Sequence, residues 1–458
     1  MNVIDTILQR AARYGRRTAI IEGESRLNFD DLRRRVTDEA GTLKAMPSRP
    51  VRLGMPLANS TEDIVLAMAA MLAGHTLIAL APQATEHEKS SHLQCCKAEF
   101  LLARRDGRLS FSPLDASSRF PVTAQPIAFI RPTSGTTGKS KGVMLSHDCI
   151  GARIDSVTTA LDLSPQDIVV WTMAASHHFA SSILAYLMVG TGIVLAPNTL
   201  PGTILSLAHA HKATVLYGSP WQFGTLAAAT PHSLPHLRWA FSTGLPLSAS
   251  TAESFERTFG RPLRQAYGII EAGLVCIDTL AVPISPMTVG PTAPGFEIRI
   301  IDEMGRKLQN GQVGEVCIRG AGLFSGYASP EREMAGVDQD GYFHSGDLGL
   351  MDGGCVFLKG RKASQLNVGG FKFFPEEIEA VLEAHPGVKQ ARVLGIPEPR
   401  IGHIVIAEIV PSQDATLNRR EILAHCRRFL ERYKIPMDMR IVPAIPETGT
   451  GKIKRIPQ

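Results

Sequence analysis

Hydrophobic positions along this chain recur with two alternating periods. Val51–Leu57 is an extended apolar run, Thr61–Ala73 has helical spacing behind Asn59 or Ser60 as N-cap, and Leu77–Leu80 is a short apolar strand. The same succession returns downstream. Ile168–Met173 reads as strand, Ser181–Val189 as helix, Ile193–Ala196 as strand, Leu200–Ala210 as helix and Val215–Tyr217 as strand. Such alternation predicts doubly wound α/β sheets. After Gly290 the texture changes. Phe296–Ile301, Gly314–Arg319 and Cys355–Leu358 are short strand patterns between Gly-rich turns, which predicts a β-rich, barrel-like module. Beyond the polar, Gly-rich stretch Gly360–Gly370, the acidic-start helix pattern Pro375–Ala384 and the strand pattern Val388–Ile396 predict a small α+β domain. The expected organisation is an N-terminal domain over 1–360 and a C-terminal domain over 361–458.

Composition narrows the class. A chain of 458 residues is long for a single core, and 44% hydrophobic with 20% charged residues is an ordinary soluble balance. The longest apolar stretch, Ile64–Leu80, is split by Gly74, His75 and Thr76, which leaves too short a run to cross a bilayer. Met1–Ala12 has no secretory apolar region. Seven cysteines, an odd number without a CxxC pair, argue against a disulfide framework or zinc site and for a cytoplasmic setting. The net charge is +5, and residues 361–458 hold 16 Lys and Arg against 11 Asp and Glu, so the excess lies in that last fifth. A solvated surface or a docking face for an anionic partner both fit this bias. Nucleic acid does not fit, because no dense basic cluster is interleaved with aromatics.

The strongest chemical signal is Thr133-Ser-Gly-Thr-Thr-Gly-Lys-Ser-Lys-Gly142, directly after the apolar strand Ile127–Ile130. Gly135, Gly138 and Gly142 let backbone N–H groups turn toward an anion. The hydroxyls of Thr133, Ser134, Thr136 and Thr137 suit phosphate oxygens, and Thr136 is also a candidate Mg²⁺ ligand. Lys139 and Lys141 supply charge. Gly138-Lys139-Ser140 matches the end of a Walker A loop, but that motif needs Gly at position 133, where this chain has Thr133.

Thr133–Val143 resembles the signature loop of the acyl-adenylate-forming superfamily, which includes acyl-CoA synthetases, peptide-synthetase adenylation domains and beetle luciferases. Ser140 replaces the usual Pro. Further motifs follow in family order. Gln265-Ala-Tyr-Gly-Ile-Ile-Glu271 resembles the Tyr-Gly-x-Thr-Glu motif, which implies Tyr267 and Gly268 beside adenine and Glu271 as a Mg²⁺ ligand. Ile270 stands where the family has a Thr that donates to the α-phosphate. Ser242-Thr-Gly-Leu-Pro-Leu247 is similar to the adenine-cradling turn, which implies Gly244, Leu245 and Pro246. Gly341–Asp347 resembles the ribose motif and implies Asp347, and Gly360-Arg361 resembles the hinge and implies Arg361 on the ribose. Ala363 occupies the usual pivot position. Glu447-Thr-Gly-Thr-Gly-Lys452 resembles the terminal motif, which makes Lys452 the bridge between acyl carboxylate and ATP.

The resemblance covers essentially the whole chain. It implies that ATP and Mg²⁺ activate a carboxylic acid as acyl-AMP. A mobile C-terminal lid then turns about Gly360–Ala363, and the acyl group passes to coenzyme A or to a carrier-protein phosphopantetheine. In Ala174–Ser182 no carboxylate stands ready for a substrate ammonium, which disfavours an α-amino acid and leaves fatty and aryl acids. His178, with His177 as the competing assignment, matches the family's acyl-site histidine. Gly218, Ser219, Trp221, Gly244 and Gly268 are the expected pocket walls. Lys452, Glu271, Thr137 and His178 are the expected catalytic set. Two other classes remain at this level: a P-loop NTPase, and a degenerate module that binds without catalysis.

Overall fold

Four neighbouring parallel strands form the middle of the largest sheet: Ile168–Trp171, Val215–Gly218, Trp239–Thr243 and Arg264–Ile269. Gly192–Leu195 and Thr18–Glu22 continue it in parallel on one side, and Ser25–Asn28 and Gly273–Ile277 close the two edges antiparallel, for eight strands in all. Inner strands such as Ile168–Trp171 and Val215–Gly218 are apolar throughout because both faces are covered. The computed structural model describes all residues except 46–48, 106–107, 115–124, 134–140, 230–232, 282–284, 286, 330–335, 413–416, 447–452 and 454–458.

A second, seven-stranded sheet runs Gly326–Tyr327, Lys141–Ser146, Ile127–Thr133, Thr76–Leu80, Arg52–Pro56, Phe100–Arg105 and Arg108–Pro113. The helix Thr61–Leu72 connects two of its parallel strands. Ser60 caps it, its Oγ accepting from Asp63 N at 3.2 Å, and Ile64–Met71 are buried without interruption. The α/β expectation therefore holds in both sheets. The β-rich stretch after Gly290 contributes a five-stranded sheet.

By compactness the chain divides into residues 1–298 with 318–344, and residues 299–317 with 345–458. The first unit holds both large sheets. The second contains the ladder 345–361 and a small α+β layer. There Val388–Glu398 and Gly402–Pro411 pair antiparallel, and Leu366, Phe373, Ile378, Leu382, Val393 and Ile409 form part of the core. Among the described residues no helix is long and apolar enough to cross a membrane.

Candidate active site

Two paired strands flank the Gly-rich loop. Ile127–Thr133 and Lys141–Ser146 pair antiparallel with Thr133 opposite Lys141, and Thr133 Oγ1 donates to the Lys141 carbonyl at 3.4 Å. A Walker A loop leads from a strand into a helix, so strands on both flanks exclude that reading independently of Thr133. The expected phosphate contacts Ser134, Gly135, Thr136, Thr137 and Gly138 lie outside the described residues.

Motifs far apart in sequence meet at the carboxyl edge of the eight-stranded sheet. His177 and His178 follow Ile168–Trp171, and Gly218, Ser219 and Trp221 end or follow Val215–Gly218. Gly244, Leu245 and Pro246 follow Trp239–Thr243, while Tyr267 and Gly268 end the strand that leads to Glu271. These four strands are consecutive neighbours. Ligands of open α/β sheets bind outside the carboxyl ends of parallel strands. Gln265 fastens the adenine-type turn: its Oε1 accepts from Leu247 N at 3.0 Å and its Nε2 donates to Thr288 O at 3.2 Å. Gly244 has φ +84, which favours glycine. A Cβ on Gly268 would lie 2.4 Å from the Gly273 carbonyl oxygen, so no side chain fits there. Tyr267 is buried.

Two expected pocket residues do other work. Ser219 Oγ accepts from Gln222 N at 3.3 Å while Gln222 Oε1 accepts from Ser219 N at 2.8 Å, a capping box for the helix Pro220–Ala228. Trp221 is 65% exposed, so its ring faces solvent rather than an enclosed wall.

Glu271 is held by residues that local motifs do not reveal. Tyr327 Oη donates to Glu271 Oε1 at 2.9 Å, and Lys141 Nζ lies 5.0 Å from the centroid of the Tyr327 ring. Burial and the adjacent Glu271 carboxylate push the Tyr327 hydroxyl well above its ordinary pKa, so it stays a donor. Buried Arg153 spends its guanidinium on backbone: Nη1 donates to Ile270 O at 3.0 Å, Nη2 to Glu271 O at 2.9 Å and Nε to Gly322 O at 2.7 Å. Arg153→Met is expected to destabilise the fold by about 3 kcal/mol, because three carbonyls lose a charged donor. Urea unfolding of the two proteins checks this; equal midpoints would contradict it.

His178 sits in an aromatic box. Its ring meets Trp171 and Tyr217 edge-on, each at 5.8 Å, and Trp171 stacks on Tyr217 at 6.0 Å. Asn59 anchors the start of this segment: Nδ2 donates to Met173 O at 3.0 Å and Oδ1 accepts from Ala175 N at 2.8 Å. The helical region begins at Ala175, earlier than the expected Ser181. It passes through a π-helical turn, Phe179–Ile183, before Leu184–Met188. π-Turns reset the helical register and concentrate at functional sites.

Burial, then the positive field of Arg131, lowers His178 to about 3 and His177 to about 4. Both imidazoles are neutral in the folded chain at pH 7. Their folded pKa values lie below the unfolded value, so unfolding takes up protons and stability falls as pH drops below about 6.5. At pH 5 each histidine is expected to cost about 2 kcal/mol. His178→Phe should therefore lose less stability than wild type between pH 7 and pH 5. Parallel unfolding curves at the two pH values test this, and equal losses would contradict it.

In the second unit the two expected ribose residues are brought together. Asp347 and Arg361 are register partners in the antiparallel ladder of Phe343–Asp352 and Cys355–Arg361, with Arg361 Nε 2.8 Å from Asp347 Oδ1. Ser345 fixes the turn into this ladder by donating to Val316 O at 2.6 Å and accepting from Asp347 N at 3.0 Å. Lys452 lies outside the described residues.

Residues 7–328 match the family model of the AMP-binding enzymes, and residues 377–452 match the AMP-binding enzyme C-terminal domain; the chain belongs to this family. Within it the chain is an AMP-forming, acyl-CoA-synthetase-like ligase. It is 28% identical to a feruloyl-CoA synthase of an Amycolatopsis species over 97% of this chain and 96% of the relative. It is 30% identical to a long-chain-fatty-acid–CoA ligase of Yersinia pestis over 72% of this chain and 60% of the relative. Among solved structures, ATP-bound MatB from Rhodopseudomonas palustris superposes with a TM-score of 0.89 at 26% identity, covering 99% of this chain and 97% of that one.

Proposed function

We propose that this protein activates a fatty or aryl carboxylic acid with Mg·ATP as acyl-AMP and transfers the acyl group to the thiol of coenzyme A. The observation that carries this reading is the meeting of four motifs at the carboxyl edge of consecutive parallel strands, beside the paired strands that flank the Gly-rich loop. The loop residues Thr133–Gly138 and Lys141 take the phosphates, with Thr137 in the catalytic set. Tyr267, Gly268 and the turn Gly244–Pro246 take adenine, and Asp347 with Arg361 takes the ribose. Lys452 serves the adenylating step.

The donor chemistry fits magnesium. One oxygen of Glu271 accepts from Tyr327, and its other oxygen has no partner among the described residues. Mg²⁺ is commonly held by one or two carboxylates together with substrate phosphates, so Glu271 and Thr136 would hold it. When bound, the ion offsets phosphate charge.

His178 flanks the acyl site. The stretch Ala174–Ser182 around it carries no carboxylate for a substrate ammonium, which supports an acid other than an α-amino acid. The relatives' own acids, ferulate and long-chain fatty acids by name, support the same two classes. The excess of basic residues in 361–458 supports an anionic thiol partner, with an acyl carrier protein as the alternative acceptor. The segment 361–458 is assigned as the mobile lid, turning about Gly360–Ala363. Seven cysteines without disulfides support a cytoplasmic setting.

The test is ATP–pyrophosphate exchange over a panel of aryl, fatty and α-amino acids, followed by product mass spectrometry with coenzyme A or a carrier protein. Exchange with apolar acids is expected. Exchange with no acid, or with α-amino acids alone, would overturn the reading.

A further inference from the structure

Arg131 is a cation that forms no ion pair among the described residues, with the Glu271 carboxylate as its nearest opposing charge in electrostatic terms. It lies on the strand Ile127–Thr133, two residues before the Gly-rich loop and opposite Val143 in register. Its Nε is closed to solvent and has no hydrogen-bond partner among the described residues. Among the described residues no carboxylate lies within ion-pairing distance of it. Its electrostatic neighbours are Glu271, the like-charged Arg153 and Tyr217, and its field in turn reaches His177 and His178. Burial lowers the guanidinium to about 10, which leaves it charged at neutral pH. A half-buried arginine whose Nε is closed to solvent and unpartnered is costly to a folded chain, and an apolar side chain of similar size would remove that cost. Such groups persist where function uses them.

The neighbouring groups identify the occupant. Glu271 lies on the phosphate side and His178 on the acyl side, so Arg131 faces the place where acid meets nucleotide. Arg153 is committed to three carbonyls, Lys141 stands over the Tyr327 ring, and both histidines are neutral. Ile270 offers no side-chain donor. Two anions, a carboxylate and a phosphate, must nevertheless approach each other. Two further buried polar atoms without partners among the described residues, Trp171 Nε1 and Ser242 Oγ, lie on the sheet strands flanking Tyr217.

We propose that Arg131 is a catalytic residue of the adenylating step, donating to the anionic oxygens of the reacting carboxylate as it meets the α-phosphate. This rests on the acid-activation reading above. In that step a carboxylate oxygen bonds to the α-phosphorus, the bond to the pyrophosphate oxygen breaks, and its electron pair leaves with pyrophosphate. No proton is transferred. Arg131 holds the carboxylate in line and offsets repulsion between the two anions.

The test compares wild type, R131M, R131K and R131A in ATP–pyrophosphate exchange, together with their thermal midpoints. R131M is expected to lose about 100-fold or more in kcat/KM for every acid accepted by wild type, with an unchanged or raised midpoint. R131K should retain part of the activity, and R131A should recover exchange when millimolar guanidinium ion is supplied. Retention of exchange in R131M within a few-fold would overturn the proposal. So would a loss confined to acids with a second carboxylate, which would place Arg131 at the substrate tail. A lowered midpoint without guanidinium rescue would make it a structural residue and overturn it too. If wild type itself exchanges with no acid, the acid-activation reading fails, and this proposal with it.

Discussion

Glu271→Gln is expected to lower acid-dependent ATP–pyrophosphate exchange by about 100- to 1,000-fold at limiting Mg²⁺. The substitution preserves shape, and the amide oxygen can still accept from Tyr327. It removes the anionic oxygen that a hard divalent cation requires beside the phosphates. Arg153 holds the backbone carbonyl of Glu271 and is untouched by the change, so the unfolding midpoint should stay near wild type. Raised Mg²⁺ should restore part of the rate. Exchange that is unchanged, or a deficit insensitive to Mg²⁺, would remove Glu271 from the metal role.

Lys452→Ala is expected to separate the two half-reactions. Adenylate formation should fall about 1,000-fold or more, because a positive charge on a long stem is lost where carboxylate and phosphate charge converge. Thioester formation from supplied acyl-adenylate should stay within a few-fold of wild type, since the pyrophosphate has already left. The assignment rests on the terminal motif Glu447–Lys452, to whose last residue the match to the C-terminal domain family extends. Loss of both half-reactions, or of neither, would contradict it.

Much of this site could be read before the fold was known, because its chemistry is carried by short contiguous motifs. The loop Thr133–Gly142, the Tyr267–Glu271 stretch and the Asp347 and Arg361 motifs each announce themselves locally. The alternation of periods likewise predicts the two α/β sheets. What escaped is what acts at a distance. Tyr327 is 56 residues from the carboxylate it holds, and Arg153 is 118 residues from the Glu271 carbonyl it binds. No periodicity reports such pairs. The π-turn Phe179–Ile183 escaped for a different reason: its apolar spacing differs little from that of an α-helix, so the pattern read as one helix from Ser181. The capping box at Ser219 and Gln222 was legible as Ser-x-x-Gln, yet the pocket expectation for Ser219 concealed it. Arg131 lies just beyond the apolar run Ile127–Ile130, and only the fold reveals that its Nε is closed to solvent and unpartnered among the described residues.

The central claim is that an acid carboxylate attacks the α-phosphorus of ATP at the carboxyl edge of the eight-stranded sheet. Oxygen-18 in the carboxylate of an accepted acid tests it most directly. A turnover through acyl-AMP to the thioester leaves one labelled oxygen on the phosphate of the released AMP, which mass spectrometry reads. Labelled AMP is the predicted result. Unlabelled AMP, or label recovered in inorganic phosphate alongside ADP, would contradict the account.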